Sequence, residues 1–66
     1  MIHEFEHNGI NAIIRRTAKY ALHVDGWEMF VWYPGEPLAK VVRTEHDSYA
    51  QARRHLNRIF ADSDRH

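Results

Sequence analysis

The fold is decided by the stretch Trp27-Glu28-Met29-Phe30-Val31-Trp32-Tyr33, which lies between Asp25-Gly26 and Pro34-Gly35-Glu36-Pro37. Successive side chains of a β-strand point to opposite faces of a sheet. As a strand, the stretch has one face with Trp27, Met29, Val31 and Tyr33 and another with Phe30 and Trp32. A strand that is apolar on both faces needs cover on both. The stretch therefore predicts a central strand, and the identity of its second cover is the main functional question.

The length and composition predict one small domain. With 66 residues, the chain is near the size at which a single hydrophobic core is only marginally stable. There are no cysteines, which excludes disulfides and thiolate zinc sites. The 44% content of apolar residues favours folding over disorder. Because no covalent or metal staple supports the core, self-association would add stability, and we expect a homodimer.

The charge balance and the first residues predict a cytoplasmic protein without a membrane partner. Lysine plus arginine and aspartate plus glutamate both number 9, so no overall field attracts nucleic acid or anionic lipid. No apolar run approaches the ~20 residues of a membrane span. The segment Met1-Ile2-His3-Glu4 lacks the charged and apolar regions of a signal peptide.

The N-terminal segment predicts a β-hairpin. A strand from Ile2 to His7 is followed by Asn8-Gly9 and by a second strand from Ile10 to Arg16. Asn-Gly is a strong signal for a two-residue type I′ turn, which needs positive φ at both positions. The expected pairs are His7/Ile10, Glu6/Asn11, Phe5/Ala12, Glu4/Ile13 and His3/Ile14. The face with His3, Phe5, His7, Ile10, Ala12 and Ile14 is the more apolar one.

Residues 10–22 also fit a helix. An apolar stripe at helical spacing contains Ile10, Ile13, Ile14, Ala18, Ala21 and Leu22. We favour the strand because of the β-branched residues and the turn chemistry, but the periodicity alone leaves both structures open.

A second hairpin is predicted around Asp25-Gly26, with a strand from Tyr20 to Val24 as the partner of the central strand. The expected pairs are Val24/Trp27, His23/Glu28, Leu22/Met29, Ala21/Phe30 and Tyr20/Val31. In this arrangement the segment from Arg15 to Lys19 is a bend.

The loop Pro34–Pro37 predicts a third hairpin, because two prolines and a glycine favour a tight turn. Leu38 to Glu45 returns as a strand. The expected pairs are Tyr33/Leu38, Trp32/Ala39, Phe30/Val41, Met29/Val42 and Glu28/Arg43. The last pair joins opposite charges across the two strands and supports this register.

The C-terminal part predicts an amphipathic helix. Ser48 and Gln51 match a capping box, and Asp47 adds negative charge near the helix N-terminus. One stripe, expected to pack on the sheet, contains Tyr49, Ala52, Leu56, Ile59 and Phe60. The solvated face contains Gln51, Arg54, His55 and Arg58. We expect a domain over residues 1–61 and a disordered polar tail over residues 62–66.

Together these elements predict an α+β fold: an antiparallel meander of about five strands with the C-terminal helix packed on one face. The helix is assigned to the larger apolar set, which contains Tyr20, Leu22, Val24, Trp27, Met29, Val31, Tyr33, Leu38 and Val42. The reverse face contains Ala21, Phe30, Trp32, Ala39 and Val41, with Lys19, His23, Glu28 and Arg43 at its rim. Three covers for it remain open: the first hairpin, a second copy of the chain, or another partner.

Catalytic and metal chemistry is not expected. His3-Glu4-Phe5-Glu6-His7 spells the H-E-x-x-H string of metalloproteases, which requires a helix. On a strand its two histidines lie ~13 Å apart and cannot share a metal. There is no cysteine nucleophile, Ser48 is explained as a cap, and all three glycines are used in turns. We predict no enzyme activity, no catalytic or metal-binding residues and no cofactor.

Nucleic-acid binding is the alternative function. Phe30 and Trp32 on a sheet face beside Arg43 could stack bases, as in proteins that bind single strands. Arg53, Arg54 and Arg58 make the helix locally basic. A three-stranded sheet with a C-terminal helix, over Tyr20 to Phe60, resembles the arm-binding domains of phage-type integrases.

The order HEFEHNGI, YALHVDGW and DSYAQARRHLNRIF resembles short uncharacterised bacterial or phage proteins, in which strand hairpins lead into a terminal helix. This resemblance implies a fold but no activity. We expect a non-catalytic interaction module that self-associates, or binds an unidentified protein, through Phe30, Trp32, Ala39, Val41 and Arg43.

Overall fold

A computed structural model describes residues 2–18, 25–37 and 40–65 of the chain. They form four strands and one helix: β1 (Ile2–His7), β2 (Ile10–Ala18), β3 (Asp25–Trp32), β4 (Val42–His46) and α1 (Tyr49–Ser63). The strands make one antiparallel sheet in the order β1-β2-β3-β4, and α1 packs across one face. The α+β meander with a C-terminal helix is confirmed, with four strands rather than about five in the described residues.

The first hairpin has the predicted turn and register. Asn8 and Gly9 both have positive φ, 52° and 82°, as a type I′ turn requires. The five predicted pairs from His7/Ile10 to His3/Ile14 are all present. β2 continues to Ala18, so the helical alternative is wrong for residues 10–18. Residues 19–22 of that alternative lie outside the described residues.

The second hairpin differs from the prediction. Asp25 and Gly26 are not a turn but the first residues of β3, opposite Ala18 and Thr17 of β2. The bend expected at Arg15 is likewise replaced by strand. The neighbours of β3 are β2 and β4, so that β2 takes the place predicted for a strand at Tyr20–Val24. That segment itself lies outside the described residues.

The physical reason for this difference is the length of the ladder between β2 and β3. Eight residue pairs join these strands, and on the helix side they bring apolar residues together, such as Ile14 with Met29. A two-residue turn signal is a small contribution beside such a ladder. Gly26 serves another purpose, because a Cβ there would lie 2.9 Å from Thr17 Oγ1. Glycine at this position allows two strands to approach closely, and it is not required there by a positive φ.

The register between β3 and β4 is shifted by two residues from the prediction. Phe30 lies opposite Arg43 and Val31 opposite Val42, whereas Val41 and Met29 were the expected partners of Phe30 and Val42. A shift by an even number leaves every side chain on its predicted face. Arg43 therefore still contacts Glu28, but diagonally, because Glu45 is the residue directly opposite Glu28.

The hydrophobic core lies between α1 and one face of the sheet. Its buried members come from β2, β3 and α1: Ile10, Ala12, Ile14, Met29, Val31, Ala52 and Leu56. Partly buried residues surround it: Phe5, Trp27, Tyr49, Ile59 and Phe60. The five predicted stripe residues of the helix are thus all in or against the core.

The helix begins as predicted and ends later than predicted. Ser48 Oγ accepts a hydrogen bond of 3.1 Å from the Gln51 N–H, and the Gln51 side chain in turn accepts from the Asp47 N–H. At the other end, α1 continues to Ser63, two residues past the expected boundary. Asp64 Oδ1 contacts Asn8 Nδ2 at 2.7 Å and His7 Nε2 at 2.8 Å. Asp64 thus links the end of the helix to the first turn.

Candidate interaction face

The sheet face opposite α1 is the candidate site, and we call it the open face. Its central side chains are those of Glu4, Glu6, Ile13, Arg15, Glu28, Phe30, Trp32, Arg43 and Glu45. The first hairpin extends the same sheet and does not fold over Phe30 and Trp32. Among the residues that the structure describes, no strand or helix covers this face.

A cluster of four charges occupies the middle of the open face. Glu28 is only 4% exposed although none of the described strands or helices lies above it. Arg15 Nε donates to Glu28 Oε1, and Arg43 donates to Oε2 from Nε at 3.0 Å and from Nη2 at 2.7 Å. Arg43 Nη2 also donates to Glu45 at 3.0 Å. The two arginine side chains therefore shield the carboxylate from water.

The electrostatics of the cluster keep Glu28 ionised. Burial by itself raises the pKa of the Glu28 carboxyl, but the hydrogen bonds and charges of Arg15 and Arg43 outweigh burial and hold this pKa below its usual value. Conversely, the hydrogen bonds to Glu28 and Glu45 raise the pKa of Arg43. The pairing is shallow, since half of the Arg15 side chain is in contact with solvent.

Two aromatic rings lie next to the cluster. Phe30 and Trp32 are half-buried, and their stacked rings have centroids 6.3 Å apart at an interplanar angle of 28°. The Arg15 guanidinium is 5.3 Å from the centroid of Phe30. On the β1 side of Trp32, an open hollow of about 380 Å³ is lined on this face by Glu4, Glu6, Asn11, Ile13 and Trp32.

The registers align the open face in rows that cross the sheet. Glu4 lies opposite Ile13, Ile13 opposite Phe30, and Phe30 opposite Arg43. This row runs from an acid through two apolar residues to a base. A neighbouring row contains Ile2, Arg15, Glu28 and Glu45, in that order. In each row the second and third residues attract one another or are both apolar.

The predicted interaction residues are partly brought together. Phe30, Trp32 and Arg43 share the open face, and Val41 is half-buried immediately before β4. Ala39 lies outside the described residues. Sequence reasoning missed Ile13 and Arg15, which contribute to the same surface. The alternation of Ile10, Ala12 and Ile14 could have indicated them. If β2 is extended beyond residue 14, this alternation places residues 13 and 15 on the face opposite these three apolar residues.

The residues predicted for nucleic-acid contacts are dispersed. Arg53 stacks on Phe5, with its guanidinium 4.3 Å from the ring centroid, and its Nη1 is buried without a hydrogen-bond partner. Arg54 and Arg58 are exposed on α1, on the other side of the sheet from Phe30 and Trp32. Within residues 2–18, 25–37 and 40–65, the open face contains four carboxylates, those of Glu4, Glu6, Glu28 and Glu45, and two arginines, Arg15 and Arg43. That face is therefore net acidic, which disfavours a polyanion.

The H-E-x-x-H string lies on β1, as expected for a strand. The His3 ring packs 4.8 Å from Tyr49 at the start of α1, whereas His7 packs 4.9 Å from Phe60 near its end. Residues 2–18, 25–37 and 40–65 contain no group of three or more histidine or acidic side chains that could hold a metal ion. No helix in these ranges is long and apolar enough to cross a membrane.

Comparisons of the chain with protein families, with curated protein sequences and with solved structures gave no match.

Proposed function

We propose that the protein is a non-catalytic interaction module that self-associates through its open face. The observation that supports this proposal is the order of residues in the row Glu4–Ile13–Phe30–Arg43. If a second copy of this row is placed on the first in the opposite direction, each acid faces a base and each apolar residue faces an apolar residue. Two copies would pack face to face as a β-sandwich, with the two helices on the outside. Sheets packed in this way lie ~10 Å apart with strands ~30° from parallel.

The row arrangement selects one symmetry for the dimer. A two-fold axis that lies parallel to the strands and between β2 and β3 places β1 opposite β4 of the other copy. The same axis places β2 opposite β3 of the other copy. Glu4 then faces Arg43 of the other copy, and Ile13 faces Phe30. In the neighbouring row, Arg15 faces Glu28. An axis across the strands would instead bring the acidic β1 of each copy onto the same strand of the other.

The hollow beside Trp32 fits the same arrangement. Its lining includes Glu4 and Glu6, and it lies beneath the position that the partner's β4 would occupy. The Arg43 side chain of the second copy would enter this hollow between the two carboxylates. Charged pairs of this kind contribute more to specificity and register than to affinity, so they would set the symmetry while Ile13 and Phe30 supply the apolar contact.

The size of the face sets the expected affinity. Four strands ~4.8 Å apart, of which the longest has nine residues at ~3.3 Å each, give a footprint on the order of 500 Å² per protomer. The total of about 1,000 Å² equals the smallest specific interfaces. We therefore expect a dissociation constant on the order of micromolar or weaker, and a monomer at high dilution.

The nucleic-acid alternative has weaker support on this face. The carboxylates of Glu4, Glu6, Glu28 and Glu45 lie on this face and repel phosphates, and they outnumber the arginines described there. A second copy of the chain matches both signs of charge, whereas a polyanion matches only one. An effector role in which the same face binds another protein would require a partner with the same order of acid, apolar and basic groups.

The dimer is tested by charge reversal at Glu4. Sedimentation equilibrium of the wild-type chain from micromolar to millimolar concentration should show reversible dimerisation. The variant Glu4→Lys should weaken it at least tenfold, because each lysine faces an arginine of the other copy. The control Glu36→Lys makes the same change of charge in the exposed loop before β4 and should leave the dimer intact.

Three results would contradict the proposal. A wild-type chain that stays monomeric at millimolar concentration has no self-association to explain. A dimer that both lysine variants weaken equally responds to net charge, and a dimer that neither weakens uses another surface. Circular dichroism of all three proteins should be identical, since both substituted residues are exposed.

A further inference from the structure

A second concave site lies on the helix side of the molecule, away from the open face. It has a volume of about 160 Å³ and is lined by His46, Gln51, Arg54, His55 and Arg58. His46 is the last residue of β4, and the other four lie on the side of α1 that is next to β4. The site is therefore formed where the edge strand meets the helix.

Local geometry brings the polar groups together. Gln51 with His55, and Arg54 with Arg58, are spaced four residues apart, so that each pair shares a helix face. The rings of His46 and His55 have centroids 5.3 Å apart. Thr44 Oγ1 lies 2.8 Å from His46 Nε2 and holds the orientation of that imidazole. Two imidazoles, two guanidinium groups and one amide thus surround a single small volume.

The charges of the site have the same sign. In the described parts of the chain, no carboxylate forms a salt bridge with Arg54 or Arg58. Like charges four residues apart on a helix are destabilising. Burial, and then the neighbouring His55, lower the pKa of His46, while Asp47 acts in the opposite direction. A metal cation would add to this repulsion, whereas an anion would relieve it.

We propose that His46, Gln51, Arg54, His55 and Arg58 form a binding site for a single tetrahedral oxyanion, with the phosphate group as the natural ligand class. Arginine donates two parallel hydrogen bonds to such oxygens, and protonated imidazole and amide N–H groups add further donors. The small volume accommodates one phosphate group and leaves the remainder of a larger ligand in solvent. The ligand would be a free phosphate or phosphate monoester, or the backbone of a nucleic acid.

Binding at this site is coupled to protonation. The groups that face His46 are Thr44 on its own strand, Asp47 after it, Trp27 on β3, and His55, Arg54 and Arg58 on α1. An anion beside His46 favours the protonated form of its imidazole. By linkage, protonation in turn increases the affinity for the anion, so that binding strengthens as pH falls.

The site is tested by titration of ¹H–¹³C histidine spectra of the full chain with inorganic sulfate and with inorganic phosphate. Sulfate remains a dianion throughout the range from pH 5.5 to pH 7.5, whereas inorganic phosphate itself gains a proton within it. We expect saturable shifts confined to His46 and His55, and a sulfate affinity on the order of tenfold higher at pH 5.5 than at pH 7.5. The double variant Arg54→Gln/Arg58→Gln should abolish saturation.

The control for the loss of a surface positive charge is Arg65→Gln, which changes an exposed side chain beyond the helix end. Its affinity for sulfate should equal that of the wild-type chain. Circular dichroism checks that all variants remain folded, as expected for exposed arginines. A saturable response that survives Arg54→Gln/Arg58→Gln, or one that Arg65→Gln removes, would overturn the site. So would an affinity that does not change with pH, or no saturation at all.

Two further arms distinguish the sources of phosphate. A nucleoside monophosphate that binds as well as inorganic phosphate identifies a small-molecule phosphate site. A single-stranded oligonucleotide that binds at least tenfold more tightly, and loses that affinity in Arg54→Gln/Arg58→Gln, identifies a nucleic-acid backbone as the ligand. The open face is not involved, so Glu4→Lys should leave anion binding unchanged whether or not the dimer exists.

Discussion

The two faces of this sheet are made by the same four strands but are stabilised in different ways. The face beneath α1 contains apolar side chains that are almost free of solvent contact, including Ile14 at 0% exposure. The open face contains Glu28 at 4% exposure, and hydrogen bonds from Arg15 and Arg43 keep it ionised. The apolar side chains on one face are thus covered by α1, whereas Glu28 on the other face is covered by the side chains of two arginines.

Low exposure therefore has different consequences for substitutions on the two faces. On the covered face, removing atoms creates a cavity that the helix cannot readily fill. On the open face, removing atoms admits water and, in the proposed dimer, would alter the contact with a second copy. Variants of neighbouring residues on opposite faces should therefore separate folding stability from self-association.

The largest expected difference lies between Ile14 and Ile13, which are adjacent in β2 and point to opposite faces. Ile14→Ala should reduce the free energy of unfolding by about 2–5 kcal/mol, because it creates a cavity in the core. Ile13→Ala should reduce it by about 1 kcal/mol or less. Urea denaturation at a concentration where the chain is monomeric measures both. Equal losses would show that the open face is packed as tightly as the core.

For self-association, the substitution at Ile13 should have a larger effect than the substitution at Ile14. In the proposed dimer, Ile13→Ala would remove the contact with Phe30 of the second copy and should weaken self-association several-fold. Ile14→Ala should leave the dissociation constant of the folded fraction unchanged. Sedimentation equilibrium below the unfolding transition measures this difference.

A smaller effect is expected at the charged cluster. Glu28→Gln leaves two arginines without their carboxylate and should reduce the free energy of unfolding by about 1–2 kcal/mol. This is less than the roughly 3–5 kcal/mol for a deeply buried pair, because both guanidinium groups contact solvent. Glu45→Gln is the control: its half-exposed pair with Arg43 should contribute below about 1 kcal/mol. Chemical denaturation at low and high salt measures both, and equal effects would show that Glu28 is not the centre of the cluster.

The acid dependence of stability should report the same cluster. The folded-state pKa of Glu28 lies below its unfolded value, so the unfolded chain binds more protons between the two. Its contribution is fully present above the ordinary glutamate pKa of about 4.3 and is lost as pH falls through the lower folded value. The denaturation midpoint of Glu28→Gln should therefore fall less steeply below about pH 4 than that of the wild-type chain. Parallel acid limbs would contradict the ionised, arginine-bound carboxylate.

The histidine pair makes a weaker contribution in another pH range. The pKa of His46 is lowered on folding, so its contribution is fully present above the ordinary histidine pKa of about 6.5 and declines as pH falls below it. His46→Gln should remove part of the decline between about pH 6.5 and pH 5. Added sulfate should also reduce this decline in the wild-type chain but not in Arg54→Gln/Arg58→Gln, which links the prediction to the oxyanion site.

Sequence reasoning succeeded where the decisive interactions are local. The turn at Asn8-Gly9 and the cap at Ser48 each depend on residues within four positions of one another, and both are present. It failed at Asp25-Gly26, where the same kind of signal was outweighed by the ladder between β2 and β3. Turn chemistry is a local preference of limited strength, and many cross-strand contacts together exceed it.

The candidate site was predictable in part for the same reason. Alternation along residues 27–33 was sufficient to place Phe30 and Trp32 on one face. It could not supply Ile13 and Arg15, because those residues join the face only once β2 is the neighbour of β3. The low exposure of Glu28 likewise requires two arginines that are distant in the sequence, at positions 15 and 43.

By itself, the sequence determined the first hairpin with its register, the start and apolar stripe of α1, and the two-sided character of residues 27–33. These follow from φ preferences, capping hydrogen bonds and side-chain periodicity, which act over a few residues. Only the tertiary structure decided which strand pairs with β3, the register of β4 and the alignment of the row from Glu4 to Arg43. Those features depend on the sum of long-range contacts along whole strands. Alternative pairings differ in this sum, and no single stretch of sequence is sufficient to compare them.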